Sequence, residues 1–581
     1  MKVLLISNFN IQNLAQLLSN DAREPLATVE TAEFGRGVDA LSIPGMTADF
    51  AFVWTLADRA VPSFNRLLNG ERGDDGQLRD EVHGFAERVG AGASRFRALL
   101  LASWVLPPYC RRRSITDLQT GRAKNALMRM NLQLAEEIAS FRGVHLLDAQ
   151  EWVGAGGRQG FSPKLWYLTK TPFTSAVFEE AVRDIKAGIS GLLGRSKKLI
   201  VLDLDNTLWG GIVGDCGWQN VRVGGHDYVG EAFADFQRSL KLLSNNGVLL
   251  AVASKNEEAV ALEAIHLHPE MVLKAQDFAA WRINWKDKAA NISELAEELN
   301  IGLQSIVFID DNPIERARVR ESLPEVYVPE WPTDPTSFAS YVLQMPCFDM
   351  PYSTEEDRLR TSSYSSEKVR ERLRQTFNSQ DQWLLSLDTQ VTVENLNAVN
   401  LPRFVQLFNK TNQMSLTTRR MTDVQVLQWS EKHNARFWTF RVKDRCGDSG
   451  LTGIVGIEIN GNRARISDFI LSCRVMGRNI ERAMLAVTVE YCRSRGLHDL
   501  TATYIPTAKN KPCLDFWLTS GFTFDSATQS FRWTLDKPYP FPRGIKLTSL
   551  ADGQSPPPEW EWAVRSSAEK LQDNGAETSQ F

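Results

Sequence analysis

The sequence has no apolar run long enough to span a bilayer, no Cys-x-x-Cys pair and no excess of basic residues, and each absence excludes a class of protein. A membrane-spanning chain needs about 20 consecutive apolar residues. Seven cysteines, Cys110, Cys216, Cys347, Cys446, Cys473, Cys492 and Cys513, are odd in number and scattered, which argues against a zinc site or a disulfide framework. They suit a reducing, cytoplasmic location. A net charge of -4 argues against nucleic acid as the main partner, since such proteins usually carry a basic face. The apolar start, Met1–Phe9, is too short for a signal peptide and reads as a first strand. What is left is an ordinary globular composition, and 581 residues are too many for one core. The usual domain size predicts roughly three or four domains.

The chain is organised around Lys198–Gly211, KLIVLDLDNTLWGG, an apolar run that ends in two carboxylates one residue apart. It reads as a buried parallel strand delivering Asp203 and Asp205 to the carboxyl edge of a sheet, where open α/β sheets bind ligands. Three more stretches follow in order. Val248–Asn256 is a second apolar strand ending at Ser254. Asn284–Lys288 opens a helix with Ile292, Leu295 and Leu299 at helical spacing. Ile306–Pro313 is a third strand ending in Asp310 and Asp311. The pattern resembles the motifs of the haloacid dehalogenase (HAD) superfamily of phosphotransferases. The resemblance implies Asp203 as nucleophile, Asp205 as general acid/base, Ser254 as a phosphoryl contact and Lys288 as the neutralising lysine, with Lys286 as its rival. A carboxylate attacking a phosphate ester meets anionic repulsion, so Mg²⁺ is expected. Its expected ligands are Asp203, Asp311 and the backbone carbonyl of Asp205.

Around this core, residues 195–330, lie other expected domains. Residues 1–190 alternate strands with helical stretches and predict a parallel sheet. Ser7-Asn8 resembles the nucleophile position of SGNH esterases, but a late Asp-x-x-His is lacking and Trp166–Lys170 stands where the histidine is expected. A hydroxyl without its base is not activated, so a non-catalytic domain is expected there. Between Asp203 and Ser254 there is room for a flap, Trp209–Val223, and one helix, which predicts a core without a cap domain. Residues 331–387 read as a linker with a charged helix, and 546–581 as a disordered tail. Over 388–545 the strand and helix order, with Ser472–Asn479 opening a helix, resembles a GNAT-type acyltransferase. The expected fold class is therefore α/β: an SGNH-like domain, a capless HAD core and a GNAT-like α+β domain.

The whole order is similar to the FkbH-like proteins of polyketide biosynthesis, on the strength of Asp203–Gly211, Ile283–Trp285, Phe308–Arg316 and Ser472–Arg478. The resemblance implies an enzyme that takes the glyceryl unit of 1,3-bisphosphoglycerate, removes phosphate, and loads D-glycerate onto the phosphopantetheine thiol of an acyl carrier protein. Cys473 is the candidate thiol, flanked by Arg474 and Arg478, since positive surroundings raise the thiolate fraction. Cys216 and Cys446 are its rivals. Asn206, Thr207, Lys255, Arg474, Gly477 and Arg478 are the candidate substrate-binding residues. Two other readings keep this fold. One is a phosphatase of small metabolites with a docking domain; the other is an acetyl-CoA-dependent N-acyltransferase, against which Asn479 counts by replacing a small residue in the pyrophosphate turn.

Overall fold

The computed structural model describes residues 1–43, 47–71, 73–106, 116–225, 227–349, 369–370, 373–431 and 434–549. Cys110, most of the expected charged helix and all but the first residues of the expected tail lie outside them. The chain divides into two compact units, one built on Met1–Gly194 and the other on most of the remainder.

In the first unit, β1 (Lys2–Ser7), β2 (Thr28–Thr31), β3 (Phe50–Trp54), β4 (Ala98–Ala102) and β5 (Val144–Leu147) form one sheet in the order β2-β1-β3-β4-β5. All its pairings are parallel. The inner strands β3 and β4 are buried along their whole length, as strands covered on both faces must be. The Ser7 hydroxyl accepts the Phe9 N–H, and the Asn8 amide bridges the backbone N–H and C=O of Leu56.

Among the described residues the second unit holds two sheets. β6 (Leu199–Leu202), β7 (Leu249–Ser254), β8 (Phe278–Ile283) and β9 (Ile306–Ile309) form a parallel sheet ordered β8-β7-β6-β9. Alternation along the strands splits its core in two. Ile200, Leu202, Leu250, Val252, Val307 and Ile309 face one layer of helices; Leu199, Val201, Leu249, Ala251, Ile306 and Phe308 face the other. Burying each large side chain contributes roughly 2 kcal/mol, which is why such short runs suffice to fix the sheet. Trp331, Phe338, Val342 and Phe348 pack into the first layer, so this core runs past the expected boundary at 330.

The third sheet contains β10 (Thr389–Asn395), β11 (Ala435–Asp444), β12 (Gly447–Asn460), β13 (Arg463–Leu471), β14 (Asp499–Thr503), β15 (Thr523–Asp525), β16 (Ser530–Thr534) and β17 (Ile545–Ser549). Its order is β15-β16-β14-β13-β12-β11-β10-β17. The helix Ile480–Ser494 packs its apolar face, with Ile480, Met484 and Val487, into the same core. The pair β13 and β14 is parallel and registers only from Arg463 opposite Asp499 to Ile466 opposite Ala502. Beyond that the strands part, and residues 414–416 fill the notch. Leu416 N–H donates to Phe469 O, Leu471 N–H to Met414 O, and Ile505 N–H to Leu416 O. The expected α/β chain of several domains is thus the observed one.

Candidate active site

Parallel strands end together, so the residues that follow β6, β7 and β9 collect at one edge. Asp203 follows β6, Ser254 closes β7, and Asp310 and Asp311 follow β9. The helix Lys288–Glu298 starts against this edge, its N-terminus capped by Asp287, whose carboxylate accepts the Ala289 and Ala290 N–H groups. Its first residue, Lys288, is 4% exposed and places Nζ 2.9 Å from Asp203 Oδ1 and 2.6 Å from Asp310 Oδ2. Oxygens of Asp203, Asp310 and Asp311 all lie within 4.8 Å of one another.

Burial, and then the charge of Asp203, push the Asp310 carboxyl up to about 6 despite Lys288 beside it. Burial and Asp203 likewise raise Asp311. Burial works against a charged Lys288, but Asp203 and Asp310 outweigh it and hold the ammonium above the usual lysine range. Asp310 commits its carboxylate to Lys288 and to the Asn312 N–H. Asp311 is held by Thr207, whose hydroxyl lies 3.2 Å from Asp311 Oδ1 and 3.0 Å from its backbone N.

Asp205 is placed by the flap. Its Oδ1 accepts the Trp209 indole N–H at 2.8 Å and the Val213 N–H at 3.1 Å, and its Oδ2 accepts the Asn256 amide at 2.7 Å. Burial nevertheless raises its pKa, the hydrogen bonds opposing and the charge of Asp203 adding to the effect. A carboxyl pushed up in this way is suited to hold a proton and give it away.

The other expected residues fall into place around these. Ser254 is buried at the end of β7. Asn206 adopts a left-handed backbone, φ 56°, and its side chain accepts the Gly211 N–H, so it shapes the turn. Lys255 pairs with Glu315 at 2.6 Å. Lys286 is exposed and reaches Glu294 at 3.3 Å, leaving Lys288 as the lysine among the acids. Two contributors escaped the sequence reading: Asp310 as the partner of Lys288, and Asn256 as the anchor of Asp205. Asn256 carried a signal, since it lies two residues past the motif serine.

In the C-terminal sheet Cys473 follows β13 and is partly exposed, with Arg474 Nε 3.4 Å from Ser472 Oγ. The turn after it is internally satisfied. The Gly477 N–H donates to the Glu481 carboxylate at 2.9 Å. The Arg478 guanidinium is buried against Asp444 at 3.0 Å, and Arg370 holds the same carboxylate at 2.8 and 2.9 Å. The structure therefore does not bring Gly477 and Arg478 to an open anion site. Cys216 is half-buried in the flap, and Cys446 lies beside Asp444, where burial and that carboxylate raise its thiol. Burial pushes the Cys492 and Cys513 thiols up to about 12. These two are expected to resist iodoacetamide at pH 8 while Cys473 reacts, which peptide mass spectrometry after a short pulse would check.

Fold and site together define a parallel α/β core with a lysine-bound carboxylate cluster at its carboxyl edge. No protein-family model and no curated protein matches the sequence. A solved structure similar to this chain is the N-terminal part of the protein BF1531 from Bacteroides fragilis, described as containing a phosphatase domain complexed with Mg. It is 28% identical with a TM-score of 0.55, over 61% of this chain and 94% of that one. The ribosomal-protein-S18-alanine N-acetyltransferase of Escherichia coli overlaps 25% of this chain and 94% of its own, at 10% identity and TM-score 0.20. A spermidine N-acetyltransferase of Vibrio cholerae, solved with CoA and spermine, overlaps 26% and 97% at 17% identity and TM-score 0.21. Overlaps that slight say nothing of this chain's chemistry.

Proposed function

We propose that the chain is a Mg²⁺-dependent phosphoryl-transfer enzyme that removes phosphate from the glyceryl unit of 1,3-bisphosphoglycerate and loads D-glycerate onto the phosphopantetheine thiol of an acyl carrier protein. The observation that carries the phosphatase half is the cluster of Asp203, Asp310 and Asp311 around Lys288. The similarity to the Bacteroides fragilis phosphatase domain supports it.

Three carboxylates against one lysine leave negative charge uncompensated, and an all-oxygen donor set suits a hard divalent cation, so the residues fit Mg²⁺. Asp203, Asp311 and the Asp205 carbonyl would hold it. Bound there, it offsets the repulsion between the attacking carboxylate and the phosphate. Asp203 attacks phosphorus as the bond to the leaving oxygen breaks, and Asp205 gives that oxygen its proton. Water then attacks the aspartyl phosphate, Asp205 takes the water's proton, and inorganic phosphate leaves. Lys288, 2.9 Å from Asp203 Oδ1, keeps that carboxylate aligned throughout.

The acyl half rests on Cys473 and on the FkbH-like motifs. An acyl phosphate is already activated toward a thiolate: the Cys473 sulfur bonds to the carbonyl carbon as its bond to the phosphate oxygen breaks and inorganic phosphate leaves, and the pantetheine thiol then displaces Cys473 from the thioester, its proton passing to the cysteine. The N-acyltransferase reading loses ground to the internal occupation of the turn by Glu481 and of the strand notch by residues 414–416. The same two observations favour, as a second reading, a phosphatase whose C-terminal sheet serves only for docking. Intact-protein mass spectrometry separates them. With Mg²⁺, 1,3-bisphosphoglycerate and a holo carrier protein, a glyceryl adduct is expected on the enzyme and then on the carrier, and is lost in Cys473→Ala. Phosphate release without any acyl adduct would leave the docking reading.

A further inference from the structure

The carboxylate site occupies one edge of the parallel sheet. At the other edge, where β6, β7 and β9 begin, Lys198, Leu249 and Ser305 line a cavity of about 430 Å³. Residues 300–304 and Glu325 of the same core add to this wall, and the opposite one comes from the helix Leu401–Lys410, the loop 411–414, and residues 471–474 and 508–509. Among the described residues five cationic ones line it, Lys198, Arg403, Lys410, Arg474 and Lys509, against the single carboxylate of Glu325. Cys473 lines the same space. Arg403 is 6% exposed and Glu325 lies on the surface, so the positive charge reaches deeper than the negative. Lys198 and Asp203 are five residues apart along one extended strand, roughly 16 Å at about 3.3 Å per residue. One bound phosphate cannot serve both places.

We infer that this cavity is a second phosphate site, binding a phosphate monoester beside the Cys473 thiol. Like charges gathered in a cavity with low-dielectric walls focus their field, and a doubly charged phosphate is the ligand that such a lining recognises best. The volume accommodates either a small phosphorylated three-carbon acid or the phosphate end of free 4′-phosphopantetheine, and the two share a phosphate monoester. The inference deepens the reading above, from which it takes Cys473 as the acyl acceptor, and it gives that thiol a ligand pocket separate from the carboxylate cluster.

Protection of Cys473 from iodoacetamide tests it, read by peptide mass spectrometry on the full chain. The probes are 3-phosphoglycerate and 4′-phosphopantetheine, each in wild type, in Asp203→Asn and in the double variant Lys410→Glu, Lys509→Glu. A bound monoester at ten times its Kd is expected to slow alkylation of Cys473 by roughly ten-fold. The slowing should persist in Asp203→Asn, vanish in the double variant, and fall in Lys509→Glu alone, where the exposed side chain leaves folding untouched. Protection by one probe and not the other names the source of the phosphate. No protection by either, or protection that survives Lys509→Glu and the double variant alike, overturns the inference. Phosphate release by the same samples reports on the carboxylate site, so failure there stays distinguishable.

Discussion

Asp203→Asn is expected to lower phosphate release from a phosphate monoester such as 3-phosphoglycerate by roughly 10⁴-fold or more, the scale seen when a nucleophile is removed from a group of residues that act as a unit. The amide keeps the shape of the side chain and can still bond to Lys288, but it cannot attack phosphorus. The fold is expected to survive. Asp203 raises the pKa of Asp205, Asp310 and Asp311 by its charge, so its loss relieves repulsion on three carboxyls while weakening one ion pair to Lys288. In a chelator, thermal unfolding of the variant should therefore begin no lower than that of wild type. A malachite-green phosphate assay and a differential scanning fluorimetry trace on the same preparation check both halves. Retained turnover in a folded Asp203→Asn would remove Asp203 from the reaction and would leave the cluster as a structural ion network.

How much of this was legible in the sequence depended on whether the determinant was local. The apolar runs that became β6, β7 and β9 end abruptly in acids or a hydroxyl, and parallel pairing then brings those ends to one edge. The choice of Lys288 over Lys286 came from family spacing; the structure supplies the reason, since Lys288 is the first helical residue after the Asp287 cap. The roles of Asp310 and Asp311 could not be told apart by type, because adjacent identical acids differ only in the direction their side chains leave the chain. In the C-terminal sheet the signals were non-local. Arg478 meets an aspartate 34 residues upstream and shares it with Arg370. The notch between β13 and β14 is filled by residues 414–416, from a loop remote in sequence from both strands. A turn that reads as an open anion site in isolation is closed by partners that no local pattern announces.

Lys288→Met is expected to cost both activity and stability, and the way the stability returns is diagnostic. The lysine is buried between two carboxylates, and removing one partner of a buried ion pair typically costs about 3–5 kcal/mol because the remaining charge is left uncompensated. Asp310 already sits at about 6 with the lysine in place, and without it the carboxyl must rise further. An acid raised in the folded state binds its proton more tightly there than in the unfolded chain, so stability grows as pH falls through the raised value and is lost as pH climbs above it. In a chelator, Lys288→Met should therefore unfold most readily at pH 8 and begin to recover above pH 6, as the pH falls through that further raised value, with wild type showing a shallower form of the same trend from about 6 downward. The second substitution Asp310→Asn removes the stranded charge and is expected to restore most of the stability at pH 8 while leaving phosphate release as low as before. Denaturant unfolding of the single and double variants across that pH range measures this coupling. If Asp310→Asn failed to rescue stability, the lysine's structural partner would be Asp203 alone, and the buried aspartate at the end of β9 would owe its place to the Asn312 N–H rather than to the ion pair.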